Sequence, residues 1–242
     1  MIDGRKEIPL FSQSDIAKLC HRRFGIGADG LIILAPHPEL DFRMIYYNSD
    51  GGESTMCGNG GRCIARFAAD LKVVGNTMRF LAIDGEHQAR IVEDEVSLQM
   101  IDVDKVESLG QDFFTNTGSP HHIAFADELD DLDLISMAKA IRYNDHYRAE
   151  GVNVNFVKVA DNALSMRTYE RGVEDETYSC GTGVTAAALV AHSAGKIKQQ
   201  SVAVHTKGGD LNLSFSCNEK GKYHDIWLQG PATYVFKGEI PC

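Results

Sequence analysis

An α/β (α+β) fold made of two related halves is predicted for this 242-residue chain by three observations. The same succession of strand, turn, Cys-Gly-x-Gly and helix occurs twice. Short alternating apolar runs, separated by Asp-Gly or acidic turns, read as antiparallel strands. The length suffices for one large core or two smaller ones, and the internal echo favours two domains.

Ser14-Asp15 reads as the N-cap of a helix over residues 16–24, which Gly25 ends before the apolar run 31–34. Gly25-Ile26-Gly27-Ala28-Asp29-Gly30 has the G-x-G-x-x-G spacing. It follows a helix and precedes a strand, the reverse of a dinucleotide-binding turn, and so reads as a helix-to-strand turn. A strand over 42–47 ends at Asn48, and Met56-Cys57-Gly58-Asn59-Gly60-Gly61-Arg62 then leads into a helix over 63–71. Runs at 78–83, 88–92 and 96–100 read as antiparallel strands that complete a first domain, expected over residues 1–104.

The polar, Gly-containing residues 108–112 read as a linker at the start of a second domain, expected over 105–230. Ser119-Pro120-His121-His122-Ile123 resumes the pattern, followed by an acidic helix near 132–142 and strands over 152–159 and 163–169. The last of these ends at Glu170-Arg171, and Ser179-Cys180-Gly181-Thr182-Gly183-Val184 leads into a helix over 185–194. Asn48 and Arg171 each lie nine residues before their cysteine, so the echo extends upstream of the thiols. The alternating apolar stretch 232–236 is expected to return with residues 231–242 to the first domain.

The balance of 34 acidic against 24 basic residues gives a formal charge of −10, which repels phosphate backbones and anionic lipid. Nucleic acid and membrane are therefore not expected partners. No apolar run approaches the roughly 18–20 residues that span a bilayer, and the first residues lack the apolar core of a secretory signal; a cytosolic protein is expected. Cysteines 20, 57, 63, 180, 217 and 242 have no dense or regular spacing and read as free thiols in a reducing compartment. The absence of any C-x-x-C or C-x-x-H pair argues against zinc, with His121-His122 plus distant thiols as the combination that spacing leaves open.

Cys57 and Cys180 carry the chemistry. An unperturbed thiol with pKa about 8.5 is only a few per cent thiolate at neutral pH, so a cysteine base needs help. The positive end and free N–H groups of a helix start supply it, worth up to about 2 kcal/mol, while burial opposes it. Glycines in each Cys-Gly-x-Gly let N–H donors approach closely, and the same donors suit a carboxylate whose charge grows as an α-carbanion forms. Two thiols on opposite sides of one carbon can invert it, one removing the α-proton and the other delivering a proton, without metal or pyridoxal. Contact of both with one carbon at about 3–3.5 Å sets the sulfurs roughly 6–7 Å apart.

Asn48-Ser49-Asp50-Gly51 with Cys57-Gly58-Asn59-Gly60-Gly61-Arg62-Cys63, then Gly118-Ser119-Pro120-His121, Val152-Asn153, and Tyr169-Glu170-Arg171-Gly172 with Cys180-Gly181-Thr182-Gly183, resemble the diaminopimelate epimerases in order and over nearly the whole chain. The resemblance implies two similar, pseudo-symmetric domains. Each would be a mainly antiparallel sheet wrapped round a central helix, with the active site in the cleft between them. It implies cofactor-independent interconversion of LL- and meso-diaminopimelate, serving lysine and peptidoglycan synthesis, by a homodimer. Cys57 and Cys180 become the proton donor and acceptor; Gly58, Asn59, Gly181 and Thr182 hold the reacting carboxylate; Asn48, Asn153 and Arg171 bind the distal end. Glu170 and His121 are similar to polar residues beside the thiols in that family, and the guanidinium fork of Arg171 suits bidentate carboxylate binding in its own right.

The resemblance departs at the start, where the family has a strand and a Gly-Asn-Asp-Phe segment that does not occur in this sequence. Ser119 stands where the family often has asparagine, and Gly30 where some members have glutamine, so polar contacts there are expected to be shorter or supplied by water. Two rival readings are a proline or hydroxyproline racemase with the same thiol pair, and a non-catalytic module using two helix starts as anion sites. Arg171 and the two asparagines argue against the first, since a cyclic imino acid has no distant charged end. Cys20, Cys63 and Cys217 read as small buried hydrophobes, and His21, His146, His192 and His205 as surface or satisfied core residues.

Overall fold

A computed structural model describes residues 1–54 and 57–240; Met56 of the first cysteine motif and Cys242 lie outside the described residues. The chain divides into two compact units, Met1–Ser97 with the segment from Pro231 onward, and Leu98–Gly230. The division comes before residue 104 because Met100 donates to Ile226 O (2.8 Å) and Val103 to Tyr223 O (2.9 Å), tying residues 100–103 to the second unit.

In the first unit the elements run β1 (Ile2–Asp3), α1 (Gln13–Cys20), β2 (Gly30–Ala35), β3 (Phe42–Asn48), α2 (Gly58–Asp70), β4 (Thr77–Ala82), β5 (Gly85–Val92) and β6 (Glu95–Gln99), whose end passes into the second unit. The strands lie side by side in chain order. Helix α1 starts one turn earlier than the sequence suggests. Ser12, not Ser14, is its N-cap, because its hydroxyl accepts from Asp15 N while the Asp15 carboxylate accepts from Ser12 N, a capping box that satisfies two orphan donors at once. It ends at Cys20 rather than Phe24, since His21 leaves the helical region and its Nδ1 accepts from Arg23 N and Phe24 N. The Gly-x-Gly turn that follows is the helix-to-strand turn expected, with Gly27 at φ +82°. Ile16, Cys20, Leu31, Ile33, Ala35 and Ile45 form the core beneath α1, and α2 buries Ile64, Ala65 and Ala68.

The second unit runs β7 (Glu107–Leu109), β8 (Asp112–Asn116), β9 (Pro120–Phe125), α3 (Leu134–Arg142), β10 (Asn153–Ala160), β11 (Ala163–Glu170), β12 (Asp175–Thr177), α4 (Gly181–Ser193), β13 (Ser201–Thr206), β14 (Gly209–Cys217) and β15 (Tyr223–Pro231). Residues 108–112 are not a linker. They turn the hairpin between β7 and β8, with Gly110 at φ +76°, a backbone state that favours glycine. The strand order is β15-β14-β13-β11-β10-β9-β8-β7, with β12 on β11. Helix α4 is buried from Gly183 to Ala191 on every side, as a helix apolar all round must be; its one polar residue there, Thr185, donates to Gly181 O, and the sheet strands β8 to β11, β13 and β14 pack around it.

The two units repeat one topology. Neighbours β1 and β2 are parallel, as are β9 and β10; β2–β3 and β10–β11 are antiparallel; β3–β4 and β11–β13 are parallel; β4–β5 and β13–β14 are antiparallel. In each unit a 13-residue helix, α2 or α4, is the crossover between the second parallel pair. The alternating tail 232–236 forms no strand: the last strand ends at Pro231, and Tyr234, Val235 and Phe236 are exposed. No helix among the described residues is long and apolar enough to cross a membrane.

Candidate active site

Each motif cysteine occupies the same structural position, the N-cap of the central helix, with extended backbone at Cys57 (φ −103°, ψ 154°) and Cys180 (φ −125°, ψ 110°). The glycines do not merely precede the helices, as the sequence pattern suggests, but form their first turns. First-turn N–H groups have no carbonyl partner within the helix, and neither helix carries an acidic residue in that turn, so both starts keep a positive end.

In the first unit Cys57 is exposed, and its Sγ accepts from Gly60 N at 3.3 Å. A Cβ on Gly60 would lie 3.3 Å from that sulfur and 3.2 Å from Met44 Cε, tighter than ordinary contact, so glycine permits this approach. Arg62, which the sequence reading left unassigned, is buried in the same turn and donates to Gly58 O (3.3 Å) and Asn59 Oδ1 (2.9 Å). Burial works against its charge, and Cys63, Cys57 and Glu95 favour it. Asn48 is exposed at the end of β3, where its N–H donates to Gly52 O. Gly30 pairs with Asn48, and a side chain there would run into Tyr47 O and the Tyr46 ring, so no longer polar residue fits this position as it stands.

In the second unit the remaining predicted residues gather on the ends of β9, β10 and β11 and on α4. Asn153, buried at the start of β10, donates through Nδ2 to Ser119 Oγ (2.9 Å) and Pro120 O (3.0 Å) and accepts from Arg171 N at Oδ1 (2.9 Å). It joins three of the predicted positions through its own amide. Arg171 is exposed, with Nη1 donating to Glu150 O (3.1 Å), and Glu170 is half-buried where β11 pairs with β12. His121 is fully buried; desolvation and then the Arg171 charge push its imidazole down to about 3, so it is neutral at physiological pH. Its Nε2 lies 2.9 Å from Thr182 Oγ1, which is 3.4 Å from Cys180 Sγ. Thr117 Oγ1 donates to Thr182 O and holds the first turn of α4.

Sequence reasoning missed Asn155 and Thr168, both buried and hydrogen-bonded behind His121. A signal was present: in Val-Asn-Val-Asn at 152–155 the two asparagines fall on one face of a strand, alternating with Val152, Val154 and Phe156 on the other, the pattern of a buried polar network. Among the described residues no group of three or more His, Cys, Asp and Glu stands together as metal ligands.

Comparison with known proteins agrees with this architecture. The family profile described as diaminopimelate epimerase matches residues 1–106 and 113–235. The chain is similar to the diaminopimelate epimerase of Flavobacterium psychrophilum, at 49% identity over 99% of this chain and 94% of that protein. It is also similar to that of Chlorobaculum tepidum, at 41% over 99% of this chain and 96% of the relative. Among solved structures, a Bacillus anthracis phenazine biosynthesis protein of the PhzF family superposes with a TM-score of 0.73 at 11% identity, covering 96% of this chain and 90% of that one. A Clostridium difficile PhzC/PhzF protein gives 0.71 at 10% identity, covering 100% and 92%. At such identities these two share the fold.

Proposed function

The chain belongs to the diaminopimelate epimerase family, and from that premise we propose that it interconverts LL- and meso-diaminopimelate by cofactor-independent two-base proton transfer between Cys57 and Cys180. The observation that carries this reading is the repeated placement of a cysteine at the N-cap of each unit's central helix, at corresponding points of one topology. One sulfur, as thiolate, takes the α-proton; the C–H electron pair stays on carbon and spreads into the carboxylate. The other thiol then gives its proton to the opposite face of the carbon, and the two sulfurs end with exchanged protonation.

The first-turn N–H groups of Gly58 and Asn59, and of Gly181 and Thr182, are suited to hold that carboxylate as its charge grows. Hydrogen bonds to a thiolate favour it over the thiol, and the Cys57 sulfur already accepts one from Gly60 N. Asn48, Asn153, Ser119 and Arg171 are assigned to the distal amino-acid end. Asn153 acts in large part by aligning Ser119 and the Arg171 backbone. Glu170 and His121 support the thiols from the ends of β11 and β9. The same reading carries the homodimer, the cytosolic setting, and the place in lysine and peptidoglycan precursor synthesis.

Incubation with LL-diaminopimelate in deuterium oxide, without added cofactor, is expected to yield meso product labelled at the inverted carbon. Cys57→Ala and Cys180→Ala are each expected to lower kcat by at least about 10²–10⁴-fold, the range for loss of an acid or base. Epimerisation surviving either substitution rejects the role given to that cysteine.

A further inference from the structure

The two thiols receive their hydrogen bonds from different sources. Cys57 Sγ accepts from a backbone N–H of its own helix, whereas Cys180 makes no such side-chain cap and instead has the Thr182 hydroxyl at 3.4 Å. Which way that hydroxyl points decides whether it helps or hinders a thiolate. We propose that Asn155, anchored by Thr168, is a positioning residue that sets the direction of a buried Asn155–His121–Thr182–Cys180 hydrogen-bond chain, so that the Thr182 hydroxyl donates to the Cys180 sulfur.

The direction follows from what each atom is able to do. Asn155 is fully buried, with Nδ2 at 3.1 Å from His122 O and 3.1 Å from His121 Nδ1, and Oδ1 accepting from Thr168 Oγ1 at 3.0 Å. A backbone carbonyl only accepts, so the amide group facing His122 O must be the NH₂. An amide nitrogen only donates, so His121 Nδ1 at 3.1 Å must present a lone pair to it, a closer partner for the second N–H than Asn153 O at 3.5 Å. A neutral imidazole with Nδ1 unprotonated carries its proton on Nε2. That proton is donated to Thr182 Oγ1 at 2.9 Å. Having accepted from Nε2–H, the hydroxyl keeps its own hydrogen to donate, and Cys180 Sγ at 3.4 Å is the partner within reach that gains from it as a thiolate.

The surroundings keep this polarity. A second proton on His121 would set Nδ1–H against the Asn155 N–H, and burial with the Arg171 charge already disfavours the cation. A Cβ on Gly183 would lie 2.7 Å from Asn155 Oδ1 and 3.3 Å from His121 Cε1, so the helix start sits directly on the pair. Near the chain, β11 ends at Glu170 and leads into Arg171, whose charge acts on His121, while Arg167, one residue from Thr168 on β11, is turned away to Leu129 O and Leu132 O. Arg167 and Lys207 both pair with Glu176 at 2.7 Å, and α4 holds no titratable side chain before His192. Beside His121, His122 is engaged by Asp112 and Tyr147.

The inference rests on the assignment of Cys180 as an acid–base thiol, and its test avoids turnover. Alkylation by iodoacetamide across pH, followed on the Cys180 peptide by mass, reads the thiolate directly in the full chain. Thr182→Val is expected to raise the pH of half-maximal alkylation by about one unit, the scale of a hydrogen bond to a charged group, and Thr182→Ser to restore it. Asn155→Asp, which only accepts, reverses the chain and should give a similar rise, and adding Thr182→Val to it should give no further change. Additive shifts, or an unshifted profile in folded Asn155→Asp, overturn the proposal. Imidazole ¹⁵N chemical shifts in the unsubstituted protein give a second reading that no folding defect affects: protonated Nε2 and bare Nδ1 are expected for His121, and the opposite tautomer overturns it. A protein lacking epimerase activity yet showing these shifts would reject the reaction and leave the chain of hydrogen bonds standing.

Discussion

His121 is the side chain whose ionisation the fold changes most legibly. Its imidazole is held down to about 3 against an ordinary value of 6.5, through burial first and the Arg171 charge second. Above about pH 6.5 it is neutral both folded and unfolded. As pH falls from 6.5 toward 3, the unfolded chain binds a proton that the folded one refuses, so stability is lost across that window. His122 is lowered for the same first reason, and Glu176, held at about 2 by Arg167 and Lys207, adds a loss that begins only below the ordinary carboxylate value of 4.5. The urea midpoint is therefore expected to fall between pH 7 and pH 5, and His121→Gln to show a smaller fall over that interval. An equal fall in the variant would mean that the imidazole is already accessible to protons. His121 entered the sequence reading only through the family resemblance, which set it beside the thiols, and its contact with Thr182 is seen only in the structure, since nothing local to Ser-Pro-His-His tells which histidine is buried against the helix start.

At the scale of elements, α2 and α4 have equal length and share the Gly-x-Gly start, yet their first turns differ in tolerance. Alanine in place of glycine ordinarily gains about 1 kcal/mol inside a helix. At position 60 the nearest atoms to the new methyl are Met44 Cε at 3.2 Å and the sulfur at 3.3 Å, of which the thioether end is flexible. At position 183 it meets Asn155 Oδ1 at 2.7 Å, and that amide is locked by Thr168, His121 and His122. Gly183→Ala is therefore expected to lower kcat by about tenfold or more, with Gly60→Ala the milder of the two, read by steady-state kinetics beside thermal melts. The reverse ranking would show that the Asn155 shell gives way easily. Strand ends 48 and 170 were legible in sequence because apolar alternation stops there, whereas both helices begin four or five residues before the expected 63 and 185, since the glycines of each motif take up the first turn. The cap at Ser12 was not, since Ser12 and Ser14 both precede Asp15 closely and only the backbone path decides which hydroxyl reaches its N–H.

For the molecule as a whole, the charge of −10 bears on which substrates are drawn to it. Diaminopimelate at neutral pH has two carboxylates and two ammonium groups and no net charge, so long-range steering contributes little. Raising salt from about 0.05 to about 0.3 M is expected to change kcat/KM by less than about twofold, and a steep fall would point to a cationic substrate. The duplicated strand, Cys-Gly-x-Gly and helix pattern, the apolar α4 and the acidic surface were determined by sequence alone, because each depends on residue type and spacing along one stretch of chain. Tertiary structure alone decided that residues 108–112 turn a hairpin, that the tail after Pro231 forms no strand, and that Asn155 and Thr168 stand behind His121. Those outcomes depend on which strands become neighbours and in what register. A buried amide acquires its meaning from partners brought by β9 and β11, and no local pattern records that pairing.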